Sequence, residues 1–230
     1  MAVLLTGSLL ATLAGCDGGG TGDNKPSAAP SPAGPPPRTE RQLTAAALSD
    51  GERAGAYTVS TYPLGGPLDT DYTAEPAACQ PLVSLAPAVS GFRPAAEVGR
   101  QAENPAETLG VTVDIQLRSY AGQGAARVMK ALTTAGRTCA GGFTEDRLSL
   151  VRAKYLAVEA VAAPRLGDSS AAYRFTILDV RGKKKLYEYL TVVRSGSTTL
   201  SFRAEVTGTQ DVGAVPADVI RAQWAKFDAS

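Results

Sequence analysis

Residues 111–118 alternate without exception: Val111, Val113, Ile115 and Leu117 fall on one side, and Thr112, Asp114, Gln116 and Arg118 on the other. An extended strand with one buried face turns that spacing into packing, because side chains two apart share a face of a pleated chain. A strand of this kind needs partners, and the C-terminal half supplies them. Strands are predicted at 152–162, 171–180, 185–194 and 199–207, separated by turns at Leu166–Ser169, Arg181–Lys184 and Ser195–Ser197. Pairing Val180 with Lys185 gathers Tyr173, Phe175 and Ile177 with Leu186, Leu190 and Val192 on one face, together with the misfit Glu188 and Asp179. The other face carries Arg174, Thr176, Tyr187, Tyr189 and Thr191.

Helical spacing appears three times. Residues 40–49 suit a short helix with Leu43 and Leu48 inward. From Gly122 to Thr138, Ala125, Val128, Leu132, Ala135 and Cys139 recur at steps of three and four, ahead of Gly141-Gly142. Pro216 opens a last helix with Ile220, Trp224 and Phe227 on one stripe. A strand over 55–62, a loop over 63–78, a helical turn from Pro81 and a connection without period over 88–108 complete the reading. The fold class predicted is α+β: a largely antiparallel sheet, a meander in its C-terminal half, with helices packed on one face and one disulfide.

The N-terminal segment has a different texture. Residues 1–15, MAVLLTGSLLATLAG, are uncharged and mostly apolar, too short for a spanning helix but the length of a signal-peptide core. Leu13-Ala14-Gly15-Cys16 looks like a bacterial lipobox, which implies a diacylglyceryl anchor on Cys16 as the mature N-terminus, on the extracytoplasmic face of the cell membrane. Residues 16–38 form the lipidated Cys and a tether; 17–38 hold five Gly and six Pro and cannot bury enough to offset ordering. Residues 39–230 are expected to be one domain. With Cys16 lipidated, Cys79 and Cys139 remain, an even number in an oxidising compartment, and a bridge is expected; two free thiols or a metal pair are the alternatives.

Chemistry-bearing signals are few. The chain has no histidine, which excludes Ser-His-Asp and Cys-His relays and His-ligated metals. Lys and Arg number 23 against 22 Asp and Glu, so no basic footprint for nucleic acid exists. Gly122-Gln-Gly124-Ala-Ala-Arg127 imitates a dinucleotide fingerprint but ends in Arg127, where helix–strand packing needs a small residue, so it reads as a strand-to-helix turn. Asp69, Asp71 and Glu75 read as a solvated acidic loop, and Lys183–Lys185 as a hairpin tip. No metal, cofactor or catalytic residue is assigned, although a hydrolase built on a carboxylate pair stays open. Arg174, Tyr187, Tyr189 and Thr191 are the candidate ligand-binding face: tyrosines beside a guanidinium suit an amphipathic or anionic ligand, whereas under a covering helix they would simply pack.

The order of features also resembles a known family. A Leu43–Leu48 helix leads to Gly55-Ala-Tyr57-Thr-Val59; Cys79 precedes a short apolar turn; a strand and helix end in Thr138-Cys139; Gly167-Asp168 precedes Tyr173-Arg174-Phe175; Val192-Val193-Arg194-Ser-Gly196 and a closing helix follow. This is similar to the PknH-like sensor domains of actinobacterial exported proteins. The resemblance implies an α+β domain with a cleft that binds or senses a small molecule, lipid or envelope component. No kinase domain is read here, so sensing is expected to pass to a partner. The alternative is an envelope scaffold that binds another protein.

Overall fold

The structure is a computed structural model that describes residues 34–62, 66–107 and 110–230. Residues 1–15, Cys16 and most of the tether lie outside the described residues, as does the side chain of Asp69. In chain order the elements are α1 (Glu40–Ala46), β1 (Arg53–Ala54), β2 (Tyr57–Ser60), β3 (Thr73–Glu75), α2 (Gln80–Val83), α3 (Pro87–Ser90), β4 (Ala96–Glu103), β5 (Val111–Ser119), α4 (Gly124–Thr138), β6 (Phe143–Arg147), β7 (Val151–Ala160), β8 (Ser169–Leu178), β9 (Lys185–Ser195), β10 (Thr198–Val206) and α5 (Ala217–Asp228). Thr39 caps α1 through a reciprocal box with Gln42.

The strands form one ten-stranded sheet in the order β1-β2-β4-β5-β10-β9-β8-β7-β6-β3. Every pairing is antiparallel. The meander β7 to β10 forms where the alternating pattern places it. The β8–β9 hairpin pairs Leu178, not Val180, with Lys185. The expected turn was too short: Asp179 accepts from the backbone N–H of Lys183 and Lys184 at 2.6 and 2.9 Å, which spends Asp179 and Val180 on the turn. A slip of two residues leaves every side chain on its expected face. Glu188 thus points into the core, as the misfit in the pattern indicated.

Two apolar clusters sit on opposite faces of the sheet. On the first face, Val113, Ile115, Leu117, Leu200 and Phe202 pack with Leu43 of α1 and Val219 and Phe227 of α5. On the second face, Tyr155, Phe175, Ile177 and Val192 pack with Leu82 of α2 and Val128 and Leu132 of α4. This corrects the expectation that the helices share one face: α1 and α5 cover the β2–β10 half of one side, and α2 and α4 the β9–β3 half of the other. A helical stripe fixes which side of the helix is buried, but not which side of the sheet receives it.

The connection over 88–108 holds the strand β4, which the sequence concealed. Its Ala96, Val98 and Ala102 pack on the first face, while Glu97, Gly99 and Gln101 turn to the second. The glycine pair before α4 serves the turn and the packing: Gly122 has φ +55, and a Cβ at Gly124 would lie 2.5 Å from Cβ of Tyr120. Cys79 and Cys139 are joined in a disulfide that ties the start of α2 to the end of α4. Residues at the end of the predicted tether are seated on the domain. Pro36 O accepts from Ser197 Oγ at 3.0 Å, the Arg38 backbone N–H donates to Ser119 Oγ at 2.8 Å, and the Arg38 guanidinium lies 4.4 Å over the Phe227 ring.

Candidate functional site

The strict alternation of β5 puts apolar groups on the first face, so Asp114, Gln116 and Arg118 must line the second. Register extends that polar strip across three strands. Arg118 lies between Glu97 and Thr199, Gln116 between Gly99 and Ser201, and Asp114 between Gln101 and Arg203. No helix can seat an apolar stripe there. The strip is bordered instead by parts of the connection from β2 to β3, which stand second and tenth in the sheet order; within it Leu68–Asp71 form a 3-10 turn.

Between Thr61, Tyr62 and Thr70 of this connection and the strip lies a cleft of about 500 Å³, within the range of small-molecule sites. Gln116, Arg118 and Glu97 line it from the second face, Thr61 and Thr70 from the connection, and Arg100 and Thr44 where it reaches round the edge of β4 to α1. Tyr62 lies against Gly99 so closely that a Cβ there would meet Cε2 of its ring at 2.5 Å; the bare glycine makes room for the aromatic ring. Gln116 and Arg118 also border a void of about 20 Å³ under Ser84 and Leu85, which close the far wall. Two wider hollows, of about 700 and 800 Å³, are lined by no buried charged side chain among the described residues.

Two arginines sit on this strip, both with side chains under a tenth exposed. Arg203 is held from all sides: Nη1 is 3.2 Å from Glu188 Oε2, and Nη2 donates to the backbone oxygens of Leu82 and Val83 at the end of α2. Arg118 is 5% exposed at its side chain and donates from Nε to Glu97 Oε2 at 3.0 Å; Glu97 is half exposed. Among the described residues its hydrogen bond runs from Nε to Glu97, and neither Nη1 nor Nη2 is a fully buried atom left without a partner.

Arg203 links the strip to a buried polar network under α2. Tyr155 Oη lies 2.8 Å from Glu145 Oε2 and 2.9 Å from Glu188 Oε2, and Arg147 pairs with both carboxyl groups. A phenol has one proton to donate, so this arrangement is satisfied when one carboxyl group carries a proton of its own. Burial, then the charges of Glu205 and Glu145, push Glu188 up to about 7 against the opposing pull of Arg203 and Arg147. Burial, then the two carboxylates, hold Tyr155 well above the usual phenol range.

The predicted hairpin face is real as a set, since Arg174 and Tyr189 are direct cross-strand partners and Thr176 pairs with Tyr187. It is not an open surface. Tyr189 and Thr191 are buried and Tyr187 is partly buried against the first-face core. The Tyr189 hydroxyl donates to Asp211 Oδ1 and accepts from the backbone N–H of Val212 and Gly213 at 2.9 and 3.1 Å. Burial first, then that bond to Asp211, push Tyr189 up to about 12. Arg174 is paired to Glu159 and Asp211. The set clasps the loop before α5 through Asp211, Val212 and Gly213, where a covering helix was the expected alternative. Gln116 and Arg118 are legible in the sequence as the polar side of a strand, but no residue pattern signals that Thr61, Tyr62 and Thr70 come to lie beside them. It also missed Gln223, fully buried in α5, whose amide accepts from Leu48 N–H and donates to Ala46 O.

No family model matches the chain, and no curated protein matches it. Among solved structures, the extracellular domain of PknH from Mycobacterium tuberculosis superposes with a TM-score of 0.56 at 14% identity, over 84% of this chain and 96% of that one. A putative uncharacterized protein (Rv0999 ortholog) from Mycobacterium smegmatis gives a TM-score of 0.34 at 14% identity, over 75% of this chain and 82% of that one. The chain has the fold of the PknH extracellular domain.

Proposed function

We propose that the protein is an extracytoplasmic binding domain, held to the membrane by a lipid on Cys16, that takes a small polar molecule into the cleft between Thr61, Tyr62 and Thr70 and the polar strip. The observation that carries this reading is the polar floor of Glu97, Gln116 and Arg118 under a hollow of about 500 Å³. A polar half-face of a sheet is ordinarily left in water; here it is roofed without being filled. The disulfide supports an oxidising compartment, and the likeness to an extracellular domain agrees with it. In this reading the tether spaces the cleft from the bilayer.

Native mass spectrometry of the protein purified from its own host tests the binding role. A defined added mass, lost from a Tyr62→Ala variant that still melts as the wild type does, supports it. A bare chain from several growth conditions contradicts it. The anchor is tested separately: Cys16→Ser should abolish metabolic labelling with a fatty acid, and unchanged labelling would refute lipidation there.

A further inference from the structure

We propose that Arg118 is the anchor for an anionic oxygen group, a carboxylate or a phosphate, carried by the molecule that occupies the cleft. This rests on reading the cleft as the ligand site and adds the chemistry of what it holds. A guanidinium taken out of water needs partners for its donors, because an uncompensated buried cation is strongly unfavourable. The fold shows how it meets that need for a structural arginine. Arg203, on the same face and the adjacent strand, has Nη1 on Glu188 and Nη2 on two backbone carbonyls. Arg118 is buried as deeply, yet Glu97 engages only its Nε. Its two terminal nitrogens make no hydrogen bond to a described residue and are not among the fully buried unpaired atoms, which leaves them accessible where Arg118 lines the cleft.

A guanidinium edge presenting parallel N–H groups matches the two oxygens of a carboxylate or phosphate. Glu97, bound at Nε, fixes the plane of the group and leaves that edge free. Gln116, next along the strand face, adds an amide to the floor, and Thr61 and Thr70 bring hydroxyls from above. Glu40 and Glu97 line the cleft along with Arg118 and Arg100, so its charges balance, which favours a single oxyanion over a polyanion. The class indicated is therefore a small molecule with one oxyanion on a polar, uncharged body.

The test uses the full chain carrying Cys16→Ser and follows the arginine Nε–Hε signals by ¹H–¹⁵N NMR. Sodium acetate and sodium phosphate are titrated separately against a sodium chloride control of equal ionic strength. The Arg118 signal should move saturably with at least one of them while that of Arg203 stays fixed; the acetate and phosphate arms distinguish carboxylate from phosphate recognition. Arg118→Lys should weaken the same response, read at the Gln116 backbone amide, by about tenfold, since a point charge replaces a bidentate fork. An Arg118 signal that does not move, or that moves in step with exposed arginines such as Arg181, overturns the proposal, and because the wild-type titration alone decides this, a misfolded variant leaves it testable. Shifts at Gly99 and Gln116 without one at Arg118 would leave the cleft standing and remove its anchor. Silence at all three would remove both.

Discussion

One face of this sheet is used in two ways. Over β9 to β3 the second face presents Val192, Tyr173, Phe175 and Tyr155, and α4 packs down on them. Over β4 and β5 the same face presents Glu97, Gln116 and Arg118 to a hollow of about 500 Å³, whereas over β10 Ser84 and Leu85 leave only about 20 Å³ beside Ser201. The difference lies in the residues that share a pleat. Where alternation puts apolar groups on this face, a helix gains by burying its stripe there; where it puts apolar groups on the first face, α1 and α5 are drawn to the other side. A ten-stranded antiparallel sheet thereby builds two half-cores and keeps a polar pocket beside one of them. The buried arginines mark the boundary: Arg203 joins the filled half through Glu188, and Arg118 faces the hollow one.

The comparison is most severely strained by cutting the tie that holds α4 in place. Replacing both Cys79 and Cys139 with Ala should cost roughly 4 kcal/mol on the loop-entropy argument for the 60-residue separation. Urea denaturation measures it, and no change in midpoint would show that the filled half does not depend on the bridge. Next, Tyr189→Ala should cost about 3 kcal/mol, as large aromatic truncations in cores do, because its ring is buried and its hydroxyl holds Asp211, Val212 and Gly213. A melt unchanged by this substitution would return the hairpin face to candidacy as a binding surface.

A smaller effect concerns pH. The folded state raises Glu188 from the usual 4.5 to about 7, so it holds a proton that the unfolded chain releases. The contribution of this group to stability is complete below about 4.5 and is lost as pH rises through 7. Glu188→Gln, which imitates the protonated form, should gain stability relative to wild type as pH climbs through that window, measured by denaturant midpoints at pH 4.5 and 7.5. A constant difference would mean that Glu188 is ionised in the folded core throughout. Smallest of all, Gln116→Ala on the hollow half should change stability by no more than about 0.5 kcal/mol; a loss like that of a core residue would make the strip part of a packed interior.

Much of this architecture was legible in the residues. The alternation of β5 and the stripes of α4 and α5 are carried by Val, Ile, Leu and Ala at regular spacing, and the hairpin kept its faces despite a register two residues away because side chains repeat every two. β4 was hidden because its sequence, Ala96–Glu103, mixes Glu, Gly, Arg and Gln with two alanines and a single valine, weak formers of strands. The side of the sheet chosen by each helix was invisible, since it depends on which strands pair at long range. The site suffered most. Arg118 reads as the solvated side of a strand until residues 66–72 and 84–85 are seen above it, and Glu188, noticed as a misfit, gains its meaning from Tyr155 and Arg203 on other strands.

The contrast between the two halves is tested most directly by thiol labelling at matched positions on one face. Gln116→Cys places a thiol on the cleft floor and Val192→Cys places one beneath α4, each in a full chain carrying Cys16→Ser. Under native conditions a maleimide should react promptly at position 116, and at position 192 only as fast as the domain unfolds. Protection at both positions, or prompt reaction at both, would contradict it.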